Sequence, residues 1–418
     1  MSSYTYDETV VNEKISIRNG SFAIVGLNIV SSFAPLFLLR ALHANAEEVA
    51  LYNALPALMT ILATFLGAIW MNYVASKKWF CIYATTGARI FYGFIALSPF
   101  FFHFPLIAIV VILLIALMNV PQAFGNLAWQ SLIGDLIPEE RRANFFGKRN
   151  RIITLFGMLA TLIPGLILER FPAQSIPPYQ FFFFITVITS IFEVYYLVRH
   201  IEHVEIRSLR KRTVHLRPQD FFSMFKNRLY MKFLIGSSIF NLGWQMAWPL
   251  FNLYQINISG ATAIWMSLFT VASQLSQILT FSLWSRLSLR VGNAVTLAIA
   301  CFGMAITPIL TILSTGMVYL TLVNFLTGAF VGGTNLLLLN YLLEVSPQAQ
   351  RTEYIAHYNI LLGFIGFIAP QIGVSLLPLL HLDSTMVLST VVRIIGGAYF
   401  LWVAKKWIFH RHIPSLEA

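Results

Sequence analysis

Apolar residues run along this chain in blocks, without the alternation of a half-buried strand or the single stripe of a surface helix. PLIAIVVILLIALMNV, ending at Val120, and FFFFITVITSIF, ending at Phe192, carry no charge. A helix of about 20 such residues crosses a bilayer. Blocks of this kind predict helices near residues 19–39, 49–74, 80–101, 104–127, 151–168, 178–199, 230–251, 261–283, 293–313, 316–339, 357–379 and 384–406. Prolines within and beside them are compatible with spanning, because neighbouring groups in a bundle re-satisfy the freed backbone. The pattern predicts an all-α polytopic membrane protein: twelve transmembrane helices in two pseudo-symmetric six-helix bundles, residues 1–199 and 230–418, joined by a cytoplasmic linker, 200–229.

Composition agrees. Of 418 residues, 57% are hydrophobic and 11% charged, against about 45–50% and 25% in soluble domains. The opening MSSYTYDETVVNEKIS is polar, and no cleavage site follows the first apolar block, so the first helix itself is expected to direct insertion. Cys81 and Cys301 each stand near the start of an apolar run and read as buried thiols.

The net charge of +11 changes the picture only through its distribution. Lys and Arg gather in alternate loops: Lys14 and Arg18, Lys77 and Lys78, Arg141 to Arg151, Arg207 to Arg228, Arg286 and Arg290, Arg351, and Lys405 to Arg411. The intervening loops hold Arg40 and Arg170 beside acids, and segments such as NLYQINISG without a cation. By the positive-inside rule both termini are cytoplasmic, and the expected location is the plasma (inner) membrane. Basic residues spread over seven membrane edges do not form the single field that nucleic acid requires. The linker's RSLRKRTVHLRPQD suits anionic lipid head groups or simply holds the segment in the cytosol.

The densest island of charge, GDLIPEERRANFFGKRNR, follows the fourth helix, and a paler copy follows the tenth. Asp135, Pro138, Arg142 and Phe145 share their spacing with Glu344, Pro347, Arg351 and Tyr354, 209 residues on, which is half of 418. Asn126 and Asn335 keep that offset. Matched types at one offset indicate a parallel internal repeat. An acid at a helix C-terminus opposes the partial negative charge there and needs a cation. Pro138 can open a short helix that returns Arg142 beside Asp135. Asp135 with Arg142, and Glu344 with Arg351, are therefore expected to clasp the inner helix ends.

Twelve spans, two parallel halves, a central cytoplasmic loop and a charged turn after the fourth helix of each half resemble the major facilitator superfamily of secondary transporters over essentially the whole chain. The resemblance implies halves that rock about a central site lined by helices 1, 4, 7 and 10, with the charged turns as cytoplasmic gate elements. Several family motifs are incomplete. The second loop, GAIWMNYVASKKW, keeps Gly67, Lys77 and Lys78 without the family's acid, and FSLWSRLSLRVG keeps Arg286 and Arg290, again without it. Asn119 stands where proton-linked members carry an Arg before Gln122, and Pro164-Gly165 is all that remains of the antiporter motif of helix 5.

The candidate substrate cavity is a set of amides and tryptophans. Asn119, Gln122 and Asn126 share one face of helix 4; Asn241, Trp244, Gln245 and Trp248 cluster on helix 7; Asn28 lies in helix 1 and Asn335 in helix 10. Buried amides need partners, so such faces belong to a bundle interior, where they bond between helices, or to a polar groove. No Asp or Glu lies in the apolar stretches of helices 1, 4, 7 and 10, which suits a small uncharged polar or amphipathic solute. Proton-linked efflux of hydrophobic drugs or lipids and a receptor that does not transport are the alternatives. Arg89, Glu193 and Arg393 sit at membrane depth, with Arg89 and Glu193 placed to pair. His357 is the candidate for coupling to a proton or cation, against a structural role.

No H-E-x-x-H, Walker loop, dinucleotide fingerprint or nucleophile elbow is present, so no enzyme activity, metal or cofactor is expected. The expected partners are a small-molecule substrate and membrane lipid, with the protein a monomer.

Overall fold

The computed structural model describes the backbone of residues 5–71, 74, 76–203, 226–347 and 351–411; the side chains of 64–65, 67–69, 71, 139–140, 142–144, 351–353, 356 and 405–411 are outside that description. Most of the expected linker, 204–225, and its basic RSLRKRTVHLRPQD therefore lie outside the described residues.

Twelve long helices are present among the described residues. They are α1 (Tyr6–Leu36), α2 (Ala46–Met71), α3 (Lys77–Phe101), α4 (Leu106–Leu136), α5 (Glu139–Leu168), α6 (Ile176–Val198), α7 (Arg228–Leu253), α8 (Ala263–Val291), α9 (Asn293–Ile312), α10 (Met317–Val345), α11 (Arg351–Ser375) and α12 (Leu377–Arg411). Among the residues whose side chains are described, ten helices are long and apolar enough to cross a membrane; α2 lies partly outside that description, and α7 falls short. In α7 the interruption comes from Asn241 and Gln245, the amides that mark it as a cavity candidate.

The main correction to the expected boundaries is at helix starts. α1 begins at Tyr6 rather than 19, closed by a capping box in which Thr5 Oγ1 accepts from the Glu8 amide (3.3 Å) and the Glu8 carboxylate accepts from the Thr5 amide (2.9 Å). α5 begins at Glu139 rather than 151, with Pro138 as its N-cap, so the charged island opens the fifth helix itself and forms no separate short one. Glu, Arg, Lys and Ala are good helix formers. Leaving the membrane does not end a helix, because water satisfies the side chains while the backbone bonds continue. His381 (φ 56°, ψ 170°) is not helical and divides Leu377–Arg411 into a short turn and the last long helix, so it lies at the connection between them.

The chain packs as two compact units. One holds α1 to α6 with residues Ala261–Leu268, the start of α8; the other holds α7, the rest of α8 and α9 to α12. Within the first, α1 packs on α5 and α6, and α3 on α4 and α6; within the second, α7 packs on α11 and α12, and α9 on α10 and α12. The same four pairings recur. Both α1 and α7 run on into a single π turn, Phe37–Ala41 and Tyr254–Ile258. The second residue after each turn has a positive φ, His43 (53°) and Gly260 (72°). Close approach is reserved for glycine where backbones touch: a Cβ at Gly373 of α11 would stand 2.2 Å from the Met246 carbonyl of α7.

Candidate functional site

α4 has two exposed faces. Ile109, Leu113 and Leu117 are exposed on one side. Asn126 is exposed well round the helix at 3.6 residues per turn, with Asn119 and Gln122 half-buried near it. α10 repeats this: Val318, Leu322 and Leu326 are exposed on one face and Asn335 on the other, each 209 residues from its counterpart. An apolar face suits lipid and an amide does not, so the second face on each helix suits an aqueous cavity.

Behind the amides of α4 stands a buried ion pair. Arg89 of α3 and Glu193 of α6 are 5% and 4% exposed. Arg89 Nε donates to Glu193 Oε2 at 2.7 Å and Nη2 to Oε1 at 2.9 Å, the two-pronged geometry that offsets desolvation best. Its Nη1 donates to the Tyr92 hydroxyl (3.0 Å) and to Gln122 Oε1 (2.6 Å). Gln122 Nε2 in turn donates to Asn126 Oδ1 at 2.9 Å. The pairing expected from sequence is present, and it reaches the candidate cavity face. Asn119 instead bonds its own helix, Nδ2 to the Ile115 carbonyl at 2.7 Å. Asn28 is buried, its Nδ2 2.7 Å from where a Cβ on Gly157 of α5 would be. Trp129, which continues the stripe, lies under the Arg149 guanidinium at 4.2 Å.

In the second unit Trp244 and Trp248 meet edge to face at 6.3 Å, with Trp248 exposed and Gln245 half-buried. Asn241 is buried and donates to the Ser237 carbonyl (2.9 Å). Arg393 of α12 is fully buried, and its described partners are neutral: the carbonyls of Gly243 (3.2 Å), Trp244 (3.4 Å) and Met304 (2.7 Å) and the Thr307 hydroxyl (3.2 Å). Pro308 lacks an N–H, so the Met304 carbonyl four residues earlier has no backbone donor there and accepts instead from the Thr307 hydroxyl (2.9 Å) and the guanidinium. His357 is buried, with Nδ1 2.9 Å from the Tyr230 hydroxyl. That hydroxyl donates to the Tyr354 carbonyl (2.9 Å), so it accepts from an Nδ1–H.

At the helix ends that carry the charged turns, Asp135 pairs with Lys77 among the described residues, Nζ to Oδ2 at 2.5 Å. Glu344 accepts from Asn293 Nδ2 at 2.8 Å. Each acid at the end of a half's fourth helix thus meets the first residue of that half's third helix, while the expected clasp to Arg142 and Arg351 falls on side chains outside the described residues. Arg141 forks onto Glu13 of α1 at 2.8 and 3.0 Å.

Nothing in the residue pattern points to Glu202. Its carboxylate sits at the N-terminus of α3, accepting from the Lys77 amide (3.0 Å), the Lys78 amide (3.2 Å) and the Ser76 hydroxyl. The carboxylate at the start of α3 thus comes from beyond α6. The same segment is tied down by Asn12, which exchanges two bonds with the backbone of Ile201 (3.1 and 2.9 Å), and by Lys78 Nζ on the His200 carbonyl (3.1 Å). Burial drives the His200 imidazole down to about 4, and the neighbouring Lys78 and Arg149 charges act the same way against a bond to Leu197.

The sequence model of the Major Facilitator Superfamily matches residues 19–370 and again 233–408. No curated protein matches in sequence. Among solved structures, the nucleoside transporter NupG is similar with a TM-score of 0.66 at 14% identity, over 97% of this chain and 100% of that one. A peptide transporter POT in complex with sulfate gives 0.70 at 12%, over 97% and 96%. An inward-facing bacterial homolog of the human lysosomal transporter Spinster gives 0.69 at 12%, over 99% and 100%. At these identities the structures speak to the fold, and the match of the family model over most of the chain supplies the membership: this protein belongs to the major facilitator superfamily of secondary transporters.

Proposed function

We propose that this transporter carries a small uncharged polar or amphipathic organic solute. The observation behind this reading is the pair of exposed amides, Asn126 and Asn335, at repeat-matched positions away from the lipid-suited faces of α4 and α10. Between their charged ends, α1, α4, α7 and α10 contain no acid or base, and Trp248 offers an exposed indole. Hydroxyls pair with amides and an apolar ring face packs on indole. A nucleoside, the solute named for one structural relative, has both surfaces.

Residues 1–199 and 230–418 act as the moving halves in this reading, in an inner membrane with both termini cytoplasmic. Asp135, Arg142, Glu344 and Arg351 belong to the cytoplasmic gate, with Lys77 and Asn293 added as resting partners of the two acids. His357 is the place to look for coupling. Proton-linked efflux of hydrophobic drugs or lipids is the second reading, supported by the paired indoles of Trp244 and Trp248.

Purified protein in proteoliposomes, assayed by counterflow of tritiated uridine and glucose and by pH-driven movement of ethidium, separates these readings. Counterflow of a neutral solute is expected. Ethidium flux alone would replace the reading with drug efflux, and saturable binding without any flux would make the protein a receptor.

A further inference from the structure

The Arg89–Glu193 pair lies behind the candidate cavity and has no exposed surface with which to meet a solute. Its chemistry nevertheless reaches that surface. A guanidinium has donors only, so the Gln122 atom 2.6 Å from Arg89 Nη1 is an oxygen. That leaves the Gln122 amine, again donors only, aimed at Asn126 from 2.9 Å, so the atom it meets is the Asn126 oxygen. The Asn126 amine is left, on an exposed residue, with no partner among the described residues. Neither amide can be reversed without placing two donors face to face beside a buried charge.

We infer that Arg89, held by Glu193, is a specificity-determining positioning residue: through Gln122 it fixes Asn126 to present a hydrogen-bond donor, so that the solute is selected for an acceptor at this point. This rests on the neutral-solute reading and goes beyond it by giving one contact a direction. The device belongs to the first unit alone. At the repeat offset of α4 and α10, Val331 stands for Gln122, so among the described residues no side-chain amide one turn before Asn335 ties it to a buried charge.

Gln122→Glu tests the direction. A carboxylate still accepts from Arg89, but its second oxygen now faces Asn126, which must turn its amine inward and expose its oxygen. The probes are tritiated glucose and uridine, with the deoxy and deoxyfluoro analogues of each as competitors. Fluorine is close to a hydroxyl in size and can accept but not donate. In the wild type, at one position, the deoxyfluoro analogue is expected to compete within about 3-fold of the parent while the deoxy analogue falls by about 10-fold or more, the usual loss for one unmade bond. In Gln122→Glu the deoxyfluoro analogue should fall by about 10-fold as well, with the hydroxylated parent retained. A general packing defect would weaken parent and analogues together.

Should Gln122→Glu fail to fold, the double substitution Arg89→Met with Glu193→Met carries the test. It removes the buried charges as a pair and frees Gln122 to turn, so the deoxyfluoro preference should blur to within about 3-fold of the deoxy analogue. An unchanged analogue ranking in whichever variant folds overturns the relay and leaves the neutral-solute reading standing. So does a wild type that rejects every deoxyfluoro analogue as strongly as the deoxy one. If the wild type moves neither glucose nor uridine, the neutral-solute reading itself is refuted, and the relay with it.

Discussion

Arg393 donates to the Met304 carbonyl at 2.7 Å, across from α12 to α9, at the carbonyl that Pro308 leaves without its backbone N–H donor. A buried cation is thus balanced by backbone dipoles from two helices rather than by a carboxylate. The fork matters more than the charge here. Arg393→Lys keeps the charge and loses most of the four contacts, whereas Arg393→Met removes the charge that needs them. The expected cost is roughly 2–4 kcal/mol for Lys and roughly 0–2 kcal/mol for Met, read as the thermal unfolding midpoint of the purified protein in detergent. A stable Lys variant beside an unfolded Met variant would show that the charge itself is required.

Lys77 and Asp135 are 28% and 50% exposed. Solvent screening limits such a pair to about 0–1 kcal/mol. Asp135→Asn alone should therefore shift the accessibility of cysteines placed along the inner halves of α4 and α10 by no more than about 5-fold. Adding Glu344→Gln should increase the shift, since the two acids lie in different halves and act independently. The background would lack Cys81 and Cys301. Unchanged accessibility in the folded double variant would reduce the island after α4 to a segment that fixes topology.

His200 links the start of the linker to pH. Its proton affinity is depressed in the folded state, so the unfolded chain binds more protons between about 6.5 and about 4. Stability associated with neutral His200 is complete above the unfolded value and declines as pH falls through that window. The decline should be on the order of 1–3 kcal/mol. His200→Gln should flatten the dependence of the unfolding midpoint between pH 7 and pH 4.5. Equal slopes in variant and wild type would assign the acid sensitivity to other groups.

Much of the architecture was legible because a bilayer imposes one-dimensional rules. Apolar blocks the thickness of the membrane must be helices, so twelve spans and two halves follow from the order of residues along the chain. The repeat was legible for the same reason: matched Asn126 and Asn335, and matched Asp135 and Glu344, occupy fixed places along their helices. The pairing of Arg89 with Glu193 could be anticipated because charges at membrane depth have few alternatives.

Where helices began was less legible. The window that detects apolar residues is blind to a helix that continues into water, as α1 does from Tyr6 and α5 from Glu139. Side-chain partners outside the apolar blocks were not legible at all. Asp135 could have met any of several nearby cations, and only the packing of α3 on α4 and α6 brings Lys77 to it and Glu202 to the α3 N-terminus. The residue order determined the helices and their duplication, since each follows from which residues transfer into lipid and in what order. The tertiary structure decided the described partners of Asp135 and Glu344, the carbonyl cage around Arg393 and the direction of the Asn126 amide, since a hydrogen bond depends on distance in space, which the spacing of residues along the chain does not set.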